Sequence, residues 1–252
     1  MLFSANLGML WTELALPDAV RAAHRAGFDA VECHFPYDTP AARLREALDE
    51  TGLALIALNT RPGDRAAGDF GLCALPDRRD EARAAMDQAI AYGAETGAGW
   101  VHVMAGKGGD DATFRDALRH ACDKADAQGM GVLIEPLNAH DVPEYFLRTL
   151  DQAAEIIDTL ALPNLRLMFD CYHTARTEGG TVDDIAARFE ALRPLIGHVQ
   201  FAAVPDRGAP DHGAVDYASL LPRLRWPGPI GAEYRPEGDT GASLGWMATL
   251  RR

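Results

Sequence analysis

Lysine and positive charge are scarce in this chain of 252 residues. Lys107 and Lys124 are its two lysines, and 37 acidic residues against 24 lysines and arginines leave a net charge of -13. A nucleic-acid-binding surface normally needs a basic patch, so this balance argues against a nucleic-acid partner. It does not exclude a small anionic substrate, because a metal ion and one or two local cations can reverse the field inside a pocket.

Long apolar runs and paired cysteines are also missing. No apolar run approaches about 18 residues, the length at which a membrane span becomes a candidate, and no basic stretch followed by an apolar one opens the chain. Cys33, Cys73, Cys122 and Cys171 show no CxxC spacing, which favours reduced thiols over disulfides or a zinc knuckle. We therefore expect a cytoplasmic protein with no membrane contact.

Two common enzyme motifs are absent as well. No GxGxxG turn precedes the first predicted helix, which weakens a dinucleotide-binding interpretation. No GxSxG elbow is present, and no cysteine lies in an obvious Cys–His setting. The sequence therefore shows neither a redox-cofactor site nor an activated nucleophile.

What the sequence does contain is a repeated alternation of short apolar strands with helices. The predicted strands are Leu2–Asn6, Asp29–Cys33, Leu53–Asn59, Trp100–Met104, Val132–Glu135, Leu165–Asp170, Ile196–Phe201 and Ile230–Glu233. The predicted helices are Leu16–Ala26, Ala41–Glu50, Arg79–Thr96, Phe114–Gln128, Thr149–Leu160, Asp183–Leu192 and Tyr217–Leu224, followed by an apolar segment at Leu244–Leu250. Such alternation implies a parallel α/β sheet, and eight units at this length favour a single (β/α)8 TIM barrel over residues 1–252. The long aperiodic segment Thr60–Pro76 is predicted to be an active-site loop.

The last four predicted strands each end in, or close to, an oxygen-bearing side chain, namely Glu135, Asp170, Gln200 and Glu233. In a TIM barrel these ends meet at the face that carries the chemistry. Oxygen ligands suit Mg²⁺ or Mn²⁺ better than Zn²⁺. We therefore predict that the four residues hold a divalent metal ion, although any one of them alone is equally explained as a polar strand cap. Strand alternation places His198 on the same face as Gln200, inside the barrel below the metal.

Three further residues are candidates for binding the substrate. His173 follows Asp170 closely and is suited to steadying the metal site or donating to a substrate oxygen. Lys107, in a glycine-rich loop after strand four, and Arg207, after strand seven, are the leading cations for an acid group, and Arg61 is a third. Alternatively, His173 is a loop histidine hydrogen-bonded to the backbone, and Lys107 lies in a solvent-exposed turn.

A metal ion held between two glutamates, Glu135 and Glu233, suits proton transfer between adjacent carbons. One carboxylate removes a proton next to a carbonyl group, the metal stabilises the resulting enediolate, and the other carboxylate or the same one returns a proton. This chemistry needs no redox cofactor.

Several motifs resemble one known family. They include Ile134-Glu135-Pro136-Leu137-Asn138, Asp170-Cys171-Tyr172-His173, Gly197-His198-Val199-Gln200 and Gly231-Ala232-Glu233-Tyr234. With these the chain resembles the hydroxypyruvate isomerase group of the xylose-isomerase-like TIM barrels along almost its whole length. The resemblance implies that Glu135 and Glu233 are the acid/base pair and that they hold the metal together with Asp170 and Gln200. It also implies interconversion of hydroxypyruvate and 2-hydroxy-3-oxopropanoate (tartronate semialdehyde).

The chain departs from the family pattern at residues 59–61, at residues 201–208 and at Ala214, and these loops bear on the substrate more than on the chemistry. An isomerase or epimerase for a four-carbon oxo acid (2-oxo-tetronate) or a free ketose, a dehydratase or lyase using the same enediolate, and a non-catalytic sugar-acid-binding barrel therefore stay open. An endonuclease-IV-like barrel would need more metal-binding histidines and a basic groove. Trp11 and Trp246 are either subunit contacts of a homo-oligomer or, more usually for single tryptophans, parts of the barrel core.

Overall fold

Eight parallel strands close into a barrel in which each strand pairs with the next along the chain and the last pairs with the first. A computed structural model describes this arrangement for residues 1–251. The strands are β1 (Phe3–Asn6), β2 (Ala30–Cys33), β3 (Ala54–Asn59), β4 (Trp100–His102), β5 (Gly131–Ile134), β6 (Leu165–Asp170), β7 (Ile196–Phe201) and β8 (Ile230–Ala232). The predicted TIM barrel is confirmed, with all eight strands in the predicted places.

Helices cover the outside of the barrel between successive strands. They are α1 (Leu16–Arg25), α2 (Ala41–Thr51), α3 (Arg79–Thr96), α4 (Asp111–Asp126), α5 (Leu150–Leu160), α6 (Cys171–Glu178), α7 (Val182–Leu192), α8 (Tyr217–Leu224) and α9 (Gly245–Leu250). Short side chains define several of their first turns, because Asp110, Thr149 and Thr181 each accept a hydrogen bond from a backbone N–H of the helix that follows. Gly52 and Gly97 end α2 and α3 in the left-handed conformation.

Helix α6 is the element that the sequence prediction missed. It begins directly after β6, and the Asp170 carboxylate accepts a hydrogen bond of 2.7 Å from the Tyr172 backbone N–H at its first turn. The helix has only eight residues and no turn separates it from the strand, so neither a periodic apolar stripe nor a turn signal marks it in the sequence. Asp170 therefore both ends a strand and caps a helix.

The core lies between the barrel and its helices. Trp246 of α9 is 1% exposed and packs edge-on against Phe3 and Phe201 of the barrel wall. Trp11 is 7% exposed and packs edge-on against Phe28. Both tryptophans therefore complete the core, and neither provides an argument for a subunit contact. In residues 1–251 no helix is long and apolar enough to cross a membrane.

The segment Thr60–Pro76 folds over the open end of the barrel. Its backbone approaches the chain after β4 closely, and a Cβ on Gly71 would lie 2.7 Å from the Gly106 nitrogen. Gly71 has a φ of 105°, so both its backbone conformation and the lack of space favour glycine. This attachment brings Arg65 and Phe70 to the cavity described next. That the segment is an active-site loop stays a prediction.

Candidate active site

A cavity of about 650 Å³ opens at the end of the barrel where the strands terminate at their carboxyl ends. Four residues predicted from the sequence line it, namely Glu135, His173, Arg207 and Glu233. Asp170 and Gln200 are buried at the ends of neighbouring strands, and the pairing of β6 with β7 places them opposite each other. The parallel register therefore brings the predicted polar residues to one level of the barrel.

Glu233 is held by three side chains from three different parts of the chain. Its Oε1 accepts hydrogen bonds from Asn6 Nδ2 at 3.0 Å and from His34 Nε2 at 2.6 Å. Its Oε2 accepts a hydrogen bond from the Arg207 guanidinium. Asn6 and His34 were not predicted as site residues, but each closely follows or ends an apolar strand, the same signal that identified the glutamates.

Arg207 brings a positive charge to the floor of the site, and Arg65 and Arg235 also line the cavity. Besides Glu233, the Arg207 Nη2 lies 3.8 Å from Asp170 Oδ2, and its guanidinium carbon lies 5.1 Å above the Tyr172 ring. The backbone at Arg207 is left-handed, with a φ of 58°, and its N–H donates to the Ala203 carbonyl at 2.9 Å. For residues other than glycine this conformation is unfavourable in free energy, and such strained residues occur often at functional sites. The tight turn thus directs the guanidinium into the cavity.

Three buried oxygens at the floor of the site have no hydrogen-bond partner among residues 1–251: Glu135 Oε1, Asp170 Oδ2 and Gln200 Oε1. Buried oxygens of this kind normally bond to protein, water or an ion. All three belong to the predicted ligand set, and all are hard donors that suit Mg²⁺ or Mn²⁺. The residues present therefore fit a divalent cation, with Glu233 as the fourth predicted ligand.

His173 lies beside these ligands but has its own hydrogen-bonding role. Ligand atoms of Glu135, Asp170 and His173 lie within 4.8 Å of one another. However, His173 Nδ1 accepts a hydrogen bond of 3.1 Å from the Asn138 backbone N–H, and Nδ1 therefore carries no proton. In the neutral ring the proton is on Nε2, which lies 3.8 Å from Glu135 and 3.7 Å from Asp170. The geometry supports a hydrogen-bond donor here and not a metal ligand.

Glu32 lies beneath the floor and was missed by the sequence analysis. It is 2% exposed and accepts hydrogen bonds from Ser4 Oγ at 2.8 Å, Gln200 Nε2 at 2.7 Å and His198 Nε2 at 3.1 Å. The bond from Gln200 directs the amide nitrogen toward Glu32 and leaves Oε1 free. A Cβ on Gly231 of β8 would lie 2.2 Å from the Glu32 carboxylate, so this position of β8 favours glycine. An acidic residue inside the apolar stretch Ala30–Cys33 was the available signal. The predicted position of His198 inside the barrel is confirmed.

The two glutamates differ in proton affinity. Burial, with the nearby charges of Glu233 and Asp170, raises the pKa of Glu135 well above its usual range. Burial opposes ionisation of Glu233 too, but the Arg207 guanidinium and the His34 hydrogen bond outweigh it and hold the pKa of Glu233 well below its usual range. Burial also raises the pKa of Asp170 to about 7. Glu135 therefore has a higher proton affinity than Glu233 in the same cavity.

Two other predicted cations lie outside the cavity. Lys107 is exposed to solvent, and its backbone forms a bridge with Tyr145 while the neighbouring Gly108 N–H donates to a loop carbonyl. Arg61 pairs with Asp38 and Gln88 on the surface. The structure therefore brings Arg207, but neither Lys107 nor Arg61, to the lining of the site.

The family model for xylose isomerase-like TIM barrels matches residues 20–250. A 2-oxo-tetronate isomerase of Cupriavidus necator is 42% identical over 97% of this chain and 96% of its own length. A Homo sapiens protein provisionally named hydroxypyruvate isomerase is 39% identical over 97% of this chain and 93% of its own length.

Solved structures show the same similarity. One described as an AP endonuclease, family 2, from Brucella melitensis has a TM-score of 0.91 and 34% identity, with 98% of both chains covered. A 3-keto-D-glucoside 4-epimerase from E. coli has a TM-score of 0.81 at 22% identity, again over 98% of both chains, and this similarity shows the fold alone.

Proposed function

The chain belongs to the xylose isomerase-like TIM barrel family, and on that premise we propose that it is an isomerase of small oxo acids. The reaction is a proton transfer between C2 and C3 of a 2-oxo-3-hydroxy acid. The observation that carries the proposal is the pair Glu135 and Glu233, two buried carboxylates that line one cavity at the carboxyl ends of β5 and β8.

The names of the relatives describe substrates that share one reacting unit. Hydroxypyruvate has a ketone at C2 and a hydroxyl at C3, and its isomer 2-hydroxy-3-oxopropanoate has these groups exchanged. 2-Oxo-tetronate has the same unit with a hydroxymethyl group on C3. In each case a proton leaves C3, another is added at C2, and the hydroxyl proton moves between the two oxygens, so the formula is unchanged. An enediolate lies between the two isomers.

Different side chains of the cavity are suited to different parts of this reaction. Glu135 and Glu233 are the two carboxylates suited to proton transfer: one takes the proton from the substrate, and the other, or the same one, returns a proton. Arg207 faces both Glu233 and the cavity, so its guanidinium is suited to bind the substrate carboxylate. His173 Nε2 provides a hydrogen bond to a substrate oxygen.

The proposal includes a divalent cation, Mg²⁺ or Mn²⁺. Glu135, Asp170, Gln200 and Glu233 would hold it, because three of these residues present unpartnered buried oxygens. When bound, the cation supplies positive charge that stabilises the negative charge of the enediolate oxygens. Arg65 and Phe70, from the segment 60–76, also line the cavity beside these residues.

The substrate is proposed to be hydroxypyruvate, with 2-oxo-tetronate as the second candidate. Two observations favour the second: the 42% identity to a protein named for it, and a cavity of about 650 Å³, which has room for the extra hydroxymethyl group. Nucleic acid is not expected as a substrate, although one similar structure is described as an AP endonuclease. The net charge of -13 and the buried carboxylates Glu135, Asp170 and Glu233 of the site argue against a phosphodiester backbone.

The test is turnover of hydroxypyruvate and of 2-oxo-tetronate by purified protein with added Mg²⁺ or Mn²⁺, with NMR used to monitor the reaction. We expect isomer formation, and a loss of at least about 100-fold in kcat for Glu135→Gln and for Glu233→Gln, because each removes a proton-transfer group. Glu46→Gln, on the exposed face of α2, is the matched control and should behave as wild type.

Other results would change the assignment. Metal binding without turnover of either acid would contradict the isomerase proposal and favour a non-catalytic sugar-acid-binding barrel. Loss of water from 2-oxo-tetronate would identify a lyase that uses the same proton removal. Cleavage of DNA at abasic sites would favour the endonuclease alternative.

A further inference from the structure

His102 differs from the other histidines of the barrel interior. Both of its ring nitrogens are buried and have no hydrogen-bond partner among residues 1–251. In contrast, His198 bonds to Glu32, His173 accepts from Asn138, and His34 donates to Glu233. Buried polar groups without a partner are uncommon in native structures and call for an explanation.

The location of His102 suggests what its partner is. The residue ends β4, is 2% exposed and lines the same cavity as Glu135. Its Nδ1 lies 3.8 Å from Glu135 Oε2, which is too far for a direct hydrogen bond. A ligand oxygen inside the cavity can therefore lie within reach of both side chains.

The hydrogen-bonding groups of His102 define the kind of partner. Neither ring nitrogen has a partner among residues 1–251, so both are available to a ligand in the cavity. A neutral ring offers one N–H donor and one acceptor, which matches a carbonyl or hydroxyl oxygen better than a second cation. A ligand carboxylate would be bound more strongly by the Arg207 guanidinium than by a neutral imidazole ring.

We propose that His102 is a further substrate-binding residue, whose N–H donates to the substrate oxygen beside the carbon that exchanges a proton with Glu135. This role rests on the isomerase activity proposed above. Because negative charge develops on that oxygen in the enediolate, the hydrogen bond strengthens as the reaction proceeds. Its loss is therefore expected mainly in kcat and less in KM.

The experiment compares three variants by thermal unfolding and by kinetics. His102→Phe keeps a ring of similar shape but removes both nitrogens, and His102→Gln restores a donor. His198→Phe is the matched control, because it removes a buried imidazole that has a partner and leaves Glu32 with one bond fewer. Wild type serves as the reference in both measurements.

We expect His102→Phe to unfold at the wild-type Tm or higher, since it removes polar atoms that had no partner in the folded protein. His198→Phe should lower Tm. His102→Phe should also lower kcat about 100-fold, and His102→Gln should recover part of that loss. If His102→Phe instead lowers Tm as His198→Phe does, or leaves kcat/KM within about threefold of wild type, the role of His102 is refuted.

The two proposals fail in different ways. If wild-type protein turns over neither acid, the isomerase proposal and the substrate role of His102 are both refuted. If wild type is active and His102→Phe is equally active, only the role of His102 is refuted.

Discussion

The affinity of the site for its metal ion should depend steeply on pH. Burial, partly opposed by Arg207, raises the pKa of Asp170 to about 7, and burial with the charges of Glu233 and Asp170 raises that of Glu135. Metal ligands must be deprotonated, so protons compete with the cation below these pKa values. Affinity should therefore rise with pH through about 7 and fall on the acidic side.

The magnitude follows from the number of protons released. One pH unit below its pKa, Asp170 is about 90% protonated. Each further pH unit lowers the apparent affinity for the metal ion about tenfold, because one proton must be displaced. A second proton, on Glu135, would bring the dependence to about 100-fold for each pH unit. Between pH 8 and pH 6 we therefore expect a loss of at least about tenfold.

Calorimetric titration of Mn²⁺ into the protein measures this directly. Repeating the titration in buffers with different ionisation enthalpies gives the number of protons released for each ion bound. At pH 6 we expect about one to two protons, and fewer at pH 8. Asp170→Asn, which has no carboxyl proton to lose, should release about one proton fewer at pH 6. Tight binding at pH 6 with a proton count near zero would show that these carboxylates do not hold the ion.

Four further substitutions test the roles of Glu32, Arg207, Lys107 and Trp246. Glu32→Gln should weaken Mn²⁺ binding about 10- to 100-fold in the same titration, because the charged acceptor that orients the Gln200 amide is lost; unchanged affinity would exclude this role for Glu32. Arg207→Lys should raise KM about tenfold in initial-rate assays, since lysine cannot form two parallel bonds to a carboxylate. Lys107→Ala should change kcat/KM less than about twofold. A larger effect of Lys107→Ala than of Arg207→Lys would identify Lys107 as the cation that binds the substrate. Trp246→Ala should lower the free energy of unfolding by about 3–5 kcal/mol in urea titrations, because it empties a large site in the core; a loss below about 1 kcal/mol would show that α9 contributes little to stability.

The barrel and the floor of its site could be predicted from the sequence for one physical reason. In a parallel barrel every strand runs the same way, so the residue at the end of each apolar run lies on the same face. This rule placed Glu135, Asp170, Gln200 and Glu233 together, and the structure has all four at that end. The prediction of their roles as ligands and acid/base groups still depends on the measurements above.

Other features could not be predicted because they depend on contacts between distant segments. Glu32 appeared to be one polar residue in an apolar strand, and only barrel closure brings it to Gln200 and His198. Lys107 has the charge and loop position of a substrate cation, but whether its side chain points inward depends on how the chain after β4 packs on Tyr145. The pairing of Arg207 with Glu233 likewise depends on a local left-handed turn that composition does not reveal.

Proton transfer between neighbouring carbons of an oxo acid by two glutamates and a bound divalent cation can be followed by NMR of hydroxypyruvate incubated with the protein and Mn²⁺ or Mg²⁺ in D₂O. We expect deuterium to replace a C3 proton and to appear in the isomer, and a chelator to stop both. Glu135→Gln and Glu233→Gln should each abolish isomer formation. Isomer formation that continues at the wild-type rate in both variants, or without any divalent metal, would refute this mechanism.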